Sequence, residues 1–354
     1  MRASDNEGMK GSYSPKRVVV VTRAGLGDAV YVIPALRALR RRYPQAYIAV
    51  STGDRAYRLL KRCPYLDAIY VRGSSNHVFV RLREWWWLRT GHYDLAVILD
   101  TSDTKSLHAF LAGIPRRVGG YKRYFHWLLT DAVRISPDAH QMNDLNRDIV
   151  ARLGCDVSDW TLELFAETKA FETALRKMEK AGWRGERPLV GLNIGTGHPT
   201  TLWFADRFAQ VADALQARGI RVMLLGGTGD LSRAQAVREA MRSLPVDLVG
   251  QLDVDELIAC LQHLDILVSG DTGPAHVAAA AGTPVVGLYG ATSPRHFAPV
   301  GDQHVIIDRS TVCPARCRGG TCVADLLCMR SITVQDVLRA VDGLLSKGSC
   351  HTHR

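Results

Sequence analysis

An α/β protein of two doubly wound halves, each a parallel sheet flanked by helices, is predicted by three observations. Short β-branched runs alternate with amphipathic helical stretches along the whole chain. The alternation restarts after a charged segment near the middle, so the plan occurs twice. The 354 residues, 47% hydrophobic and 23% charged, exceed one ordinary core and suit two domains of usual size.

The first half opens with Arg17-Val18-Val19-Val20-Val21-Thr22, a run suited to a strand buried on both faces. Gly25, Gly27 and Asp28 follow, and Ala29 to Arg42 reads as a helix with Val30, Ile33, Leu36 and Leu39 on its apolar face. Tyr47–Val50, Ala68–Val71 and Leu95–Asp100 are the next strands. In the second half the strands are Pro188–Asn193, Arg221–Gly226, Leu264–Ser269 and Pro284–Tyr289, with a helix over Phe204 to Arg218. The expected organisation is a loose tail over 1–15 and a first domain over 16–168. A linker helix and loop over 169–187 lead to a second domain over 188–346, and a second tail covers 347–354.

Composition excludes several classes. No apolar run approaches the roughly 20 residues of a membrane-spanning helix, and residues 1–15 lack the apolar centre of a secretory signal, so a cytoplasmic protein is expected. The net charge of +10 is uneven: residues 1–165 hold 25 Lys and Arg against 16 Asp and Glu, the remainder 20 against 19. An anionic partner for the first half follows, and no zinc finger, RNA-recognition signature or basic heptad array points to nucleic acid. Within that half, Arg116, Arg117, Lys122 and Arg123 cluster near Tyr121 and Tyr124, as a carboxylate or phosphate site would, or as a solvated loop would. Arg81 to Arg89 surrounds Trp85-Trp86-Trp87, which reads either as core or as a peripheral contact with a lipid headgroup layer.

Gly270-Asp271-Thr272-Gly273-Pro274 joins a strand to a helix. Pro274 fits the first helical turn, and Thr272 and Gly273 present amides where a phosphate binds. Asp271 would be repelled by phosphates it faced, so it suits a ribose hydroxyl, a bound cation or the loop's own amides. Without a ligand, the same segment is a capped helix. Four cysteines, Cys313, Cys317, Cys322 and Cys328, are weak metal candidates because their spacing misses the usual paired pattern. A nicotinamide enzyme is disfavoured because Val30 stands where the third glycine of the Gly-x-Gly-x-x-Gly fingerprint belongs.

The run Ser269 to Ala280, its continuation Gly282 to Gly290, Thr292-Ser293-Pro294, Gly25-Leu26-Gly27-Asp28 with Ile33-Pro34-Ala35-Leu36, Ala112 to Gly119 and Cys328 to Ile332 together resemble the heptosyltransferase family, glycosyltransferase family 9. The resemblance runs in order from about residue 17 to about 345. It implies a GT-B fold, two Rossmann-like domains facing a cleft, and inverting transfer of a sugar from a nucleotide diphosphate. It implies ADP-heptose as donor, held by the second domain, and an anionic lipopolysaccharide inner core as acceptor, held by the first. No cofactor is implied.

Carried onto this chain, the resemblance makes Asp28 the general base, with a helix-capping aspartate as the rival reading. It places the donor phosphates on Thr272 and Gly273, with Asp271 near the ribose. Asp230 falls near the family's ribose-holding acidic position, with a plain turn aspartate as its rival reading. His276, one turn into the helix, reaches a phosphate or packs against the sheet. Thr201 stands where the family carries a basic residue, so the leaving diphosphate lacks a cation there; His198 or Arg23 could substitute. A sugar-nucleotide epimerase and a nucleotide-sugar-binding protein without transferase activity remain as alternatives.

Overall fold

The computed structural model describes residues 13–73, 78–100, 102–121, 124–134, 139–140, 142–313, 317 and 321–349. The first half runs β1 (Arg17–Val21), α1 (Leu26–Arg42), β2 (Tyr47–Gly53), α2 (Asp54–Leu60), β3 (Ala68–Arg72), α3 (Val78–Thr90), β4 (Leu95–Ile98), α4 (Asp103–Leu111), β5 (Arg116–Gly120) and β6 (Asp131–Val133). Helices α5 (Asn143–Ala151) and α6 (Thr168–Lys180) lead into the second half. There the order is β7 (Leu189–Asn193), α7 (Ala205–Gln216), β8 (Arg221–Leu225), α8 (Leu231–Ala240), β9 (Val246–Asp247), α9 (Val254–His263), β10 (Ile266–Gly270), α10 (Gly273–Ala280) and β11 (Val285–Tyr289). The last elements are α11 (Pro294–Phe297), β12 (Val305–Asp308), α12 (Leu327–Arg330) and α13 (Val334–Ser349).

Both sheets have six parallel strands, in the orders β3-β2-β1-β4-β5-β6 and β12-β11-β10-β7-β8-β9. Each order reverses once, between β1 and β4 in the first and between β7 and β10 in the second. A crevice opens beyond the carboxyl ends of the strands at such a reversal, because the flanking connections leave to opposite faces. The sequence pattern misses β5, β6, β9 and β12. These are short edge or near-edge strands, and Arg-Arg-Val-Gly-Gly or a two-residue pair carries little apolar periodicity.

Helix α1 begins three residues earlier than its apolar pattern suggests, because extended Gly25 is its N-cap. Asp28 therefore sits inside the first turn. From Ala29 to Leu39 every residue of α1 is buried, since the helix lies between its own sheet and α10 of the other half. One apolar core consequently joins Val20, Ile33 and Leu36 to Leu225, Leu261 and Val277 across the halves. Helix α6, expected as a linker, packs on α9, where Lys177 Nζ meets Glu256 Oε2 at 2.6 Å. Helix α13 continues to Ser349, past the point where the sequence suggests a tail.

The tryptophan-rich stretch is part packed and part exposed. Trp87 stacks on Tyr70 with ring centroids 4.7 Å apart, and Trp85 packs on the outer core of the first half. Trp86 and Phe79 are exposed on the same helix. No helix among the described residues is long and apolar enough to cross a membrane.

Candidate active site

The amino ends of α1 and α10 meet where the two reversal points face each other. A Cβ on Gly273 would lie 2.9 Å from Leu26 Cβ, and one on Gly27 would collide with Cδ2 of His276. Only glycine lets the two turns approach this closely, which gives the sequence Gly-Leu-Gly-Asp a packing reason besides a chemical one.

Asp28 lies on the rim of this contact. Its carboxylate bonds back to the Gly25 amide and stands 3.9 Å from Arg23 Nη1. Burial raises its pKa; Arg23 and the Gly25 amide pull the other way, and Asp100 adds repulsion. Asp28 is therefore not the N-cap, although it satisfies the amide of the residue that is, and burial makes its carboxyl more basic than an ordinary one. Asp271, at the end of β10, is pushed up to about 6, first by burial and also by the charge of Asp28, against the opposing influence of the Thr292 hydroxyl and His198. Two carboxylates from opposite halves thus share one desolvated crevice.

His276 is buried one turn into α10. Its Nδ1 shares a 2.8 Å hydrogen bond with Tyr31 Oη of α1, and its Nε2 lies 3.9 Å from Asp271 Oδ1. Burial, together with the nearby His140 and His304, lowers its pKa to about 3, so the ring is neutral at physiological pH. Tyr31 is invisible as a site residue in the sequence because its partner lies 245 positions away.

Thr272 is the N-cap of α10, but its hydroxyl is turned inward. It accepts from Asn193 Nδ2 at 3.0 Å and pairs with Ser269 Oγ at 2.9 Å. Pro274 has no amide to offer, so the open end of the helix presents the Thr272 and Gly273 amides. Asp230 accepts from the Gly227 amide at 2.8 Å and packs beside Gly195, holding the loops after β7 and β8 together. Thr201 is buried and its hydroxyl is committed to its own loop, 2.7 Å from Thr196 Oγ1 and 3.0 Å from His198 O. It supplies neither charge nor a free donor to the crevice.

A cavity of about 260 Å³ opens beside the helix contact. Leu225, Leu252, Val254 and Leu257 give it an apolar wall, while Asn193 and Gly226-Gly227 bring polar backbone and amide groups to it. Leu26 and Pro274 form the side that abuts the α1–α10 junction.

The basic cluster requires correction. Arg116 and Arg117 open β5 opposite Leu95 and Ala96, at the amino end of the sheet, whereas Asp28 lies beyond the carboxyl ends. Arg116 Nε is 3.3 Å from Asp131, and Arg117 donates to the carbonyls of Leu128, Ile114 and Pro115. They tie down β5 and its neighbours and do not face the crevice. Lys122 and Arg123 lie outside the described residues. The four clustered cysteines are all free thiols: Cys328 is buried, the Cys317 thiol hydrogen-bonds to Cys322, and Cys322 accepts the Leu326 amide at 3.2 Å. Among the described residues no group of three or more His, Cys, Asp or Glu side chains is placed to hold a metal ion.

The raised pKa of Asp271 has a consequence for stability. The unfolded carboxyl titrates at 3.8 and the folded one at about 6, so the folded state binds the extra proton between them. Stability attributable to this group is therefore greatest below pH 4 and falls as pH rises through about 6. Asp271→Asn is expected to raise unfolding stability at neutral pH by up to about 3 kcal/mol, with the gain vanishing below pH 4. Urea unfolding of both proteins across pH checks this; a gain independent of pH would contradict it.

Two doubly wound domains with their reversal points face to face, and a helix N-terminus at the crevice between them, make up the GT-B fold. Residues 81–327 match glycosyltransferase family 9 (heptosyltransferase), and the chain belongs to that family. Membership makes it a glycosyltransferase. The chain is 27% identical over 307 residues to lipooligosaccharide heptosyltransferase 2 of Haemophilus influenzae, covering 82% of this chain and 88% of that one. The crystal structure of the glycosyl transferase family 9 from Veillonella parvula superposes with a TM-score of 0.80 at 24% identity, covering 94% of this chain and 97% of that one. The E. coli ADP-heptose lipopolysaccharide heptosyltransferase II structure gives 0.73 at 23% identity, covering 94% and 99%.

Proposed function

We propose that this protein transfers a heptose from ADP-heptose to a hydroxyl of an anionic lipopolysaccharide inner-core acceptor, with inversion at the anomeric carbon. The reading rests on one observation above the others: a partly buried Asp28 carboxyl, its pKa raised by that burial, lies close enough to Asp271, just before α10, for the two charges to act on each other. The names of the relatives, heptosyltransferases of lipooligosaccharide and lipopolysaccharide, support the sugar and the acceptor class.

In this mechanism Asp28 takes the proton of the acceptor hydroxyl as its oxygen attacks the anomeric carbon. The bond from that carbon to the diphosphate breaks, and ADP leaves. The Thr272 and Gly273 amides and the α10 N-terminus meet the charge that develops on the departing phosphate. The nucleoside lies in the apolar cavity, with Asp230 at the ribose. Neutral His276, held by Tyr31, keeps Asp271 from approaching the phosphates. The acceptor enters on the Arg23 side, and the enzyme works in the cytoplasm at the inner face of the membrane, where a lipid-linked acceptor is reached.

Incubation of the purified protein with ADP-heptose and heptose-deficient lipopolysaccharide is expected to release ADP and form a product of inverted configuration, read by NMR of the new linkage. Turnover with a UDP- or GDP-sugar instead would keep the fold and overturn the donor. A retained configuration would overturn the role of Asp28.

A further inference from the structure

A bound nucleoside diphosphate carries two or more negative charges, and the second domain offers the candidate site little to balance them. Thr201 contributes no charge, and its hydroxyl is already spent within its own loop. Among the described residues lining the cavity beside the α1–α10 junction, the cations are Arg55 and Arg58, and both come from α2 of the other half.

We infer that Arg55 and Arg58 reach across the cleft to the diphosphate of the donor and supply the charge that Thr201 lacks. The inference rests on the donor-site reading above and adds the source of its positive charge. The two residues are three apart on one helix, so they present adjacent guanidinium groups toward the same space. Such forks bind phosphate oxygens in pairs.

The helix that carries them is braced at both ends. At its start, Gly53 abuts Ala24, and the Ala56 amide donates to Ala24 O at 3.2 Å, so α2 is fixed to the loop that leads to Asp28. Just past its end, Lys61 Nζ at 3.0 Å and Arg62 Nε at 2.9 Å both meet Asp255 Oδ2 on α9. Asp255 is buried while Lys61 and Arg62 remain partly exposed, and this ion cluster joins the halves and holds α2 beside the cavity.

The acidic groups nearby do not consume the two arginines. Arg58 meets Asp54 one turn back on the same exposed surface, at 2.8 Å. A pair of that kind is worth about 0.3–0.5 kcal/mol and is readily exchanged for a phosphate. Asp253, which also lines the cavity, caps α9 by accepting the Glu256 amide at 2.8 Å.

Calorimetric titration with ADP and with adenosine, on the wild type and on Arg55→Ala, Arg58→Ala and the double variant, tests this. Both side chains are exposed, so the variants are expected to fold, and their melting temperatures verify it. ADP affinity is expected to fall about 10- to 100-fold in the double variant, while adenosine affinity is unchanged. Arg55→Lys with Arg58→Lys is expected to recover part of the loss. Equal losses for ADP and adenosine would place the arginines on the nucleoside and overturn the inference, as would no loss for either. Failure of the wild type to bind ADP would instead remove the donor-site reading on which the inference stands.

Discussion

Asp28→Asn is expected to lower kcat by about 10²- to 10⁴-fold while leaving KM for the donor nearly unchanged. Asparagine fills the same volume and can still bond to the Gly25 backbone, so the α1 N-terminus keeps its shape. What is lost is the group that accepts the acceptor's proton. The wild type should lose activity on the acid side at a pH above the ordinary carboxylate range, because burial raises the Asp28 pKa and Asp271 titrates at about 6. The residual activity of Asp28→Asn should lack the contribution of Asp28 to that limb. Steady-state kinetics across pH, with a circular dichroism control, decides the matter. A variant with unchanged kcat would leave Asp28 only its bond to the Gly25 amide.

Glu84→Ala is expected to cost about 3–5 kcal/mol of stability, far more than a surface carboxylate would. Glu84 is buried on α3 and gathers Ser51 Oγ at 2.9 Å, Lys105 Nζ at 2.9 Å, Arg72 Nη1 at 3.4 Å and His108 Nδ1 at 3.5 Å. Burial pushes its carboxyl up, but the adjacent His108 ring, the charges of Lys105 and Arg72 and the hydrogen bonds from Lys105 outweigh that and hold it at about 2. The group is ionised in the fold above its unfolded value of 4.5, and the stability it provides is lost as pH falls toward about 2. Removing the carboxylate strands Lys105 and Arg72 in a desolvated site. Arg72 also donates to the Thr22 carbonyl at 2.5 Å, so the loop carrying Arg23 and Asp28 would loosen with it. Urea denaturation measures the loss. The double variant Glu84→Ala, Lys105→Met should recover part of it, because the stranded charge is gone. A loss under 1 kcal/mol would contradict this account.

The segments that lie at the carboxyl ends of central strands were legible in the sequence. Val18–Val21 and Ile266–Ser269 are apolar on both faces, and glycine-rich turns follow each, so the positions of Asp28 and of Asp271 to Gly273 could be read before any coordinates. Arg116 and Arg117 were misleading for a physical reason. Sequence charge records how many cations a segment holds, not which end of a parallel strand they occupy, and register alone puts these two at the far edge. Tyr31 was hidden differently: an aromatic residue on a buried helix looks like packing until the opposing helix is seen to carry His276. Arg55 and Arg58 look like ordinary solvated charges on a short helix, and only the cavity across the cleft gives them a task. Glu84 lay in plain view among tryptophans, but nothing local shows that α4 and β3 deliver its cations.

The glycine contact between α1 and α10 also limits how the two halves can vary. The outer faces, such as the exposed side of α3, can drift with little effect on their opposite domain. At Gly27 and Gly273 no such freedom exists, because any added carbon on one side must be accommodated by the other. A chimera that joined one half of this chain to the complementary half of a relative would inherit a seam matched to a different partner. The two halves are therefore not interchangeable parts, and they are bound to diverge as a pair.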